Sequence, residues 1–210
     1  MHRKKIHMLV LVGGFVAGGL LSGSTASAAE AGATAAMLAN TCAGCHGTNG
    51  ISGGPAMPTI GGMPANYLKT VMEQFKDGSR PSTIMGRLAK GYSDEENALL
   101  ADAFSKFKWE SAQSHPNSKK ATAIDPALAA KGAELQASAK CDKCHEDGGV
   151  FQDDDTPRVG GQWLDYLLFK MQDFKNAALK VPQPKKMETA MEKLSLEDLT
   201  AIAHFYASKK

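Results

Sequence analysis

The residues most capable of chemistry are the four cysteines, which fall in two copies of the pattern Cys-x-x-Cys-His. The copies consist of Cys42, Cys45 and His46 in the first half of the chain, and Cys141, Cys144 and His145 in the second. Two thiols at this spacing on a turn can add to the two vinyl groups of one porphyrin, and the adjacent histidine then faces the iron. A zinc site would require the two distant cysteine pairs to converge, and a thioredoxin-like motif would require a βαβ setting. The pattern therefore predicts two covalently bound haem c groups, each with its histidine as an axial iron ligand.

The N-terminus has the features of a secretory signal over residues 1–28. A basic start (Arg3 to Lys5) precedes an apolar stretch from Met8 to Leu21 and a small-residue cleavage site that ends at Ala28. The apolar stretch is short for a membrane span and is interrupted by glycines. An uncleaved anchor is the alternative to a signal. We expect export to the periplasm, where bacteria attach c-type haem, and a mature form without a membrane span.

Charge gives little reason to expect a polyanionic partner. The predicted signal holds three of the 24 basic residues and none of the 22 acidic residues, so the mature chain is close to neutral. Nucleic acid and anionic membranes are therefore not expected partners.

The second half of the chain repeats the first in register. Equivalent pairs include Pro58 with Pro157, Tyr67 with Tyr166, Met72 with Met171 and Phe75 with Phe174. The expected organisation is a signal peptide at 1–28, an N-terminal haem domain at 29–110, a linker at 111–124 and a C-terminal haem domain at 125–210. The stretch from Glu110 to Thr122 is polar, a composition that does not predict a buried core.

The periodicity within each half is helical, so the expected fold is all-α. The cysteine motifs should follow helices over 31–40 and from Pro126 to about Ser138, the second with Asp125 as its N-cap. A helix should begin at Pro64 and end at Gly78, with an equivalent in the second half. The last helix of each half should begin with a capping box, at Ser93 and at Ser195.

The sixth iron ligand separates electron transfer from chemistry at an open iron, because a methionine thioether fills that position and raises the reduction potential. Met85 and Met187 each stand eight residues before a capping serine, which makes them the predicted ligands. Met191 is the alternative for the second haem. The other methionines are weaker candidates: Met72 and Met171 lie on apolar helix stripes, and Met57 and Met63 have no methionine at the repeated position.

Three further features could carry function but have simpler explanations. The acidic stretch 153–155 could bind calcium, yet it lacks the ligand spacing of an EF-hand, so a solvated loop that could steer a cationic partner toward the second haem is expected. His115 and His204 have no repeat partner, so we expect them to be packed or solvated.

Several segments resemble the di-haem cytochrome subunit of flavocytochrome c sulfide dehydrogenase. They include Cys42 to Gly50, Ser82 to Ser93, Gly160 to Trp163, Lys185 to Met187 and Phe205 to Ser208. The resemblance implies two tandem class I cytochrome c domains in a periplasmic heterodimer with an FAD-containing flavoprotein. Sulfide would be oxidised at the flavin, the N-terminal haem would lie nearer to it, and the cytochrome would not itself be catalytic. The loop with Pro182 and Pro184 departs from the family pattern.

Single-haem cytochromes of this class imply one more role. A proline carbonyl after the motif accepts a hydrogen bond from the axial histidine, which the resemblance assigns to Pro58 and Pro157, with Pro55 as a competing choice.

Two other functions remain open. A free di-haem carrier feeding a terminal oxidase would share the two-domain layout, whereas the subunit of a sulfide dehydrogenase would pass its electrons to a soluble acceptor cytochrome. A di-haem peroxidase would need one iron without a strong sixth ligand, and the repeated methionine position opposes that interpretation.

Overall fold

The computed structural model describes residues 33–210, so the predicted signal peptide lies outside the described part of the chain. Within 33–210 the secondary structure is helical, without β-strands, which confirms the all-α fold. In the same range no helix is both long enough and apolar enough to cross a bilayer.

Between residue 33 and the end of the first half the chain forms four α-helices whose ends are set by local sequence. Thr34 caps α1, Gly78 ends α2 in the left-handed conformation at φ 84°, and Ser93 forms the predicted capping box with Glu96 at the start of α4. The helices are α1 (Ala35–His46), α2 (Ala65–Asp77), α3 (Met85–Leu88) and α4 (Asp94–Ser105). The first helix was expected from sequence to end at residue 40, but α1 continues through the cysteine motif to His46.

The second half repeats this order with one additional short helix. Asp125 caps α5 as predicted, and the Ser195–Asp198 capping box opens α9. The helices are α5 (Pro126–Ser138), α6 (Glu146–Gly149), α7 (Leu164–Lys175), α8 (Lys185–Lys193) and α9 (Leu196–Ala207). Helices α3 and α8 are not among the helices expected from sequence, and they carry Met85 and Met187.

Each half has its own apolar core, built by the same packing of helices. In the first half α1 and α2 pack on α4, and Leu38, Leu100 and Phe104 form the buried centre. In the second half α5 and α7 pack on α9, around a larger cluster that includes Ile202 and Tyr206. The repeat seen in the sequence is therefore a repeat of tertiary structure.

Equivalent hydrogen bonds join the loop after each cysteine motif to the last helix of the same half. Gly62 N–H donates to Phe104 O at 2.8 Å, and Gly161 N–H donates to Tyr206 O at 2.9 Å. Both glycines have positive φ, 80° and 81°, a conformation that a side chain would strain. The second glycine of each Gly-Gly pair therefore holds the loop after the cysteine motif against the last helix of its half.

The segment between the halves is buried only at its start, and residues 113–124 are half-buried or exposed. Ser111 and Ala112 are buried, because Ala112 N–H donates to Gly161 O at 2.8 Å and the Ser111 hydroxyl donates to Lys209 O at 3.1 Å. These two residues are buried because they form hydrogen bonds to backbone groups of the second half, although the sequence around them is polar.

Candidate haem sites

The first cysteine motif forms the C-terminal end of α1, and His46 is the last residue of that helix. His46 donates from Nδ1 to the carbonyl oxygen of Pro58 at 2.9 Å, which leaves Nε2 available to a metal. The accepting carbonyl belongs to Pro58 rather than Pro55. Burial lowers the pKa of His46, against the opposing effect of this hydrogen bond, so the imidazole is held neutral. A neutral, oriented imidazole is what iron ligation requires.

The two thiols of this motif fit the edge of a planar porphyrin. Cys42 and Cys45 are not paired in disulfides, and a Cβ atom added at Gly44 between them would meet no other atom within 4 Å. Burial raises the pKa of the half-buried Cys42 thiol, whereas Cys45 is exposed. The face between the thiols is therefore open to a flat group, and the residues present fit covalently bound haem c.

The second motif has different local geometry. Helix α5 ends at Ser138, Lys140 adopts the left-handed conformation, and Cys141–Lys143 form a 3-10 turn. His145 then has non-helical backbone angles, φ −94° and ψ 60°, and its ring packs edge-on against Tyr206 with centroids 5.9 Å apart. Nδ1 of His145 has no hydrogen-bond partner among residues 33–210.

The expected hydrogen bond from His145 to Pro157 is therefore not formed in this structure. The two histidines differ in local backbone: His46 is the last residue of an α-helix, whereas His145 follows a 3-10 turn and has non-helical backbone angles. The Tyr206 hydroxyl is also buried without a partner in the described residues, and burial raises its pKa. Buried polar atoms without partners beside the predicted axial histidine fit a site that a bound group completes.

The methionines expected as sixth ligands lie in corresponding places. Met85 is the first residue of α3 and Met187 is in the first turn of α8, and both are half-buried. Met187, Met191 and Met171 all belong to or pack on the apolar cluster that contains Tyr206, the ring against His145. Met187 and Met191 therefore both remain near enough to the second site to be considered.

The surfaces beside the two predicted methionine ligands differ in chemistry. Ile84 and Leu88, on either side of Met85, are 51% and 49% exposed. Helix α8, around Met187, has no large exposed apolar residue within Lys185–Lys193 and instead carries Lys185, Lys186 and Lys193 at its surface.

The other sequence candidates have packing or solvent roles. His204 is buried and accepts from Asp125 N–H at Nδ1 over 3.0 Å, and His115 packs edge-on against Trp163. In the acidic stretch, Asp155 accepts from Asn66 Nδ2 at 2.6 Å. Residues 33–210 contain no group of three or more His, Cys, Asp or Glu side chains placed to hold a metal ion.

Sequence reasoning missed a buried polar network between the halves. Ser52, Thr59 and Gln162 are each 1% exposed, although none is apolar. The available signal was Gln162, which stands where the first half has Met63 and thus places an amide at a repeat position otherwise filled by an apolar side chain.

An all-helical fold with a cysteine-histidine motif and an ordered histidine near each apolar core defines a c-type cytochrome. Comparison with known proteins agrees. The sequence profile of the cytochrome c family matches residues 29–114. Cytochrome c4 of Pseudomonas aeruginosa is 30% identical over 187 residues, which cover 88% of this chain and 91% of that protein. The chain belongs to the cytochrome c family, and its relation to cytochrome c4 extends over both halves.

A second relative is more similar over a shorter length. The cytochrome subunit of sulfide dehydrogenase from Chlorobaculum tepidum is 50% identical over 68 residues, which are 32% of this chain and 61% of that protein. Among solved structures, reduced recombinant cytochrome c4 from Pseudomonas stutzeri superposes with a TM-score of 0.71 at 26% identity, covering 85% of this chain and all of that one. The protein is thus an electron-transfer cytochrome with covalently bound haem c.

Proposed function

We propose that this chain is the periplasmic di-haem subunit of a sulfide dehydrogenase. It receives electrons from an FAD-containing flavoprotein that oxidises sulfide and passes them to a soluble acceptor cytochrome. The observation that carries this proposal is the 50% identity over 68 residues to the sulfide dehydrogenase cytochrome subunit, against 30% over 187 residues to cytochrome c4.

Each half has the residues for one haem, which supplies a one-electron couple when bound. The thiols of Cys42 and Cys45, and of Cys141 and Cys144, would form the thioether attachments, and His46 and His145 would each supply an imidazole ligand to the iron. We assign the opposite side to Met85 and Met187, whose thioethers stabilise the reduced state more than an imidazole would. These two sets of ligands lie in the proposed domains 29–110 and 125–210, joined by the segment 111–124.

The contrast between the two methionine surfaces supports an order of transfer. Permanent interfaces bury apolar side chains, whereas short-lived encounters between soluble proteins depend on charge at the rim. Exposed Ile84 and Leu88 therefore suit a lasting contact with the flavoprotein beside Met85. The lysines of α8 suit brief contact with an acidic acceptor beside Met187.

A free di-haem carrier is the second candidate function. The match to cytochrome c4 along 88% of this chain favours it, because that relation covers both domains. A free carrier would exchange electrons at both haems with transient partners, and neither surface would need a permanent apolar contact.

The deciding experiment expresses the full chain with the exported flavoprotein of the same organism in a host that matures c-type cytochromes. We expect the two to co-elute with bound FAD, and we expect sulfide to reduce the cytochrome only when the flavoprotein is present. A cytochrome that elutes alone, and that sulfide reduces no faster with the flavoprotein than without it, would support the free carrier.

A further inference from the structure

We propose that Gln162, in the second half of the chain, is a positioning residue for His46, the axial histidine of the first half. The inference rests on the proposed ligation of iron by His46 and adds a connection between the halves. It means that the second domain helps to set the properties of the first haem.

A series of hydrogen bonds connects Gln162 to His46 through the Pro58–Thr59 peptide. Thr59 N–H donates to Gln162 Oε1 at 2.9 Å, and Gln162 Nε2 donates to Thr59 O at 3.0 Å. The side-chain amide thus pairs with both backbone groups of one residue, as a neighbouring strand would. The residue before Thr59 is Pro58, whose carbonyl accepts from His46 Nδ1 at 2.9 Å. Gln162 therefore holds the peptide that orients the histidine.

Trp163 holds the beginning of the same loop. Its indole Nε1–H donates to Ser52 O at 3.2 Å, and the Ser52 hydroxyl donates to Met57 O at 2.8 Å. A Cβ atom on Gly54 would lie 2.3 Å from the Trp163 ring, so the loop passes directly against the indole. Two consecutive residues of the second half therefore fix the loop at both of its ends.

Burial makes this arrangement restrictive. Gln162, Trp163, Ser52 and Thr59 are each 1% exposed, so water cannot replace a broken hydrogen bond in the network. Any shift of the loop would leave buried backbone groups unpaired, which is costly in a low-dielectric interior. The position of the Pro58 carbonyl, and with it the hydrogen bond to His46, therefore depends on the second half.

The second half supports the histidine of the first half, but the described part of the first half has no equivalent residue that supports His145. The residue of the first half that corresponds to Gln162 is Met63, which has no amide to pair with backbone, and Thr59 corresponds to Arg158. In agreement, Nδ1 of His145 has no partner among the described residues, while that of His46 is bonded. The first histidine is thus held from across the domain boundary and the second is not.

The test uses Gln162→Met, which installs the residue of the corresponding first-half position. Ring-15N-labelled histidine in the haem-loaded protein reports the exchange rate of each Nδ1 proton by NMR. We expect exchange at His46 to become about tenfold faster, as for the loss of one hydrogen-bonded constraint, with no change at His145. The reduction potential of the first haem should rise, because a weaker hydrogen bond makes the imidazole a poorer electron donor to iron.

Gln152→Met is the matched control. Gln152 also belongs to the second half and donates to first-half backbone, from Nε2 to Gly62 O at 2.8 Å, but it does not contact Thr59. It should leave the His46 exchange rate unchanged. If Gln162→Met does not bind the full complement of haem, Gln162→Asn replaces it, since the shorter side chain cannot reach both backbone groups.

Three results would overturn the proposal: no change at His46, an equal change at both histidines, or the same change in the control. Failure of the underlying ligand assignment is separable. If the ring resonances of His46 show no shift from the paramagnetic iron in the oxidised wild-type protein, His46 is not a ligand, whatever the Gln162 variants do.

Discussion

Replacing Ile84 and Leu88 with serine tests the proposed flavoprotein contact at the residues beside Met85. About half of each side chain is exposed, 51% and 49%, so about half of its burial free energy is still available to a partner. Full burial of such a side chain is worth about 1.5–3 kcal/mol, which gives about 1 kcal/mol for each residue and about 2 kcal/mol for the pair. The dissociation constant should rise by about 30-fold.

The assay is titration of the haem-loaded variant with the flavoprotein, with affinity measured by surface plasmon resonance. Leu196→Ser is the control, because Leu196 is 53% exposed but lies at the start of α9 in the second half. It should change the dissociation constant by less than about twofold, since surface substitutions away from an interface have small effects. Equal weakening by both changes, or no weakening by the double variant, would refute docking of the flavoprotein at Ile84 and Leu88.

Three further predictions test the ligands and the pH response. Met85→Leu should remove part of the sulfur-to-iron charge-transfer absorption of the oxidised protein and Met72→Leu should not; the reverse result would make our choice of ligand wrong. Cys144→Ser should weaken haem attachment in the second half alone, so mass spectrometry of the denatured chain should show a fraction with a single haem; complete retention of both would contradict the assignment. The free energy of unfolding should decrease as pH falls through about 6.5, because burial lowers the pKa of His204 and the unfolded chain binds the proton more readily. His204→Asn, which retains an acceptor for Asp125 N–H, should reduce that slope in urea titrations, and an unchanged slope would exclude His204 as the cause.

The parts of the fold that could be predicted from sequence depend on local interactions. Asp125, Ser93 and Ser195 act as N-caps within their own turns, and Gly78 ends α2 because it accepts a left-handed backbone. The short helix α3 was missed, since a helix of four residues has too few positions to show a period. Caps are therefore better predicted than short connecting helices.

In the candidate sites, too, local sequence features were predictable and contacts between distant residues were not. The two Cys-x-x-Cys-His motifs are contiguous, so the residues that attach haem can be read directly from the sequence. The Gln162 contact joins residues 103 positions apart, and no local pattern reports such a contact. The missing hydrogen bond at His145 also escaped prediction, because the motif is the same in both halves while the backbone that carries it is α-helical only in the first.

The repeat explains the fold, and the departures from the repeat explain how two similar domains can have different roles. Equivalent residues build the two cores, and equivalent Gly-Gly pairs bind the last helix of each half. Two of the differences are Gln162, which stands in place of methionine and binds the loop that carries Pro58, and the exposed lysines of α8. The surface beside Met85 instead has exposed Ile84 and Leu88 together with Arg87. A haem whose histidine is held from both domains has a more fixed environment, which suits continuous pairing with one donor. A haem next to an exposed charged helix suits rapid exchange with a changing acceptor. Transfer from the first haem to the second is the direction that uses both differences.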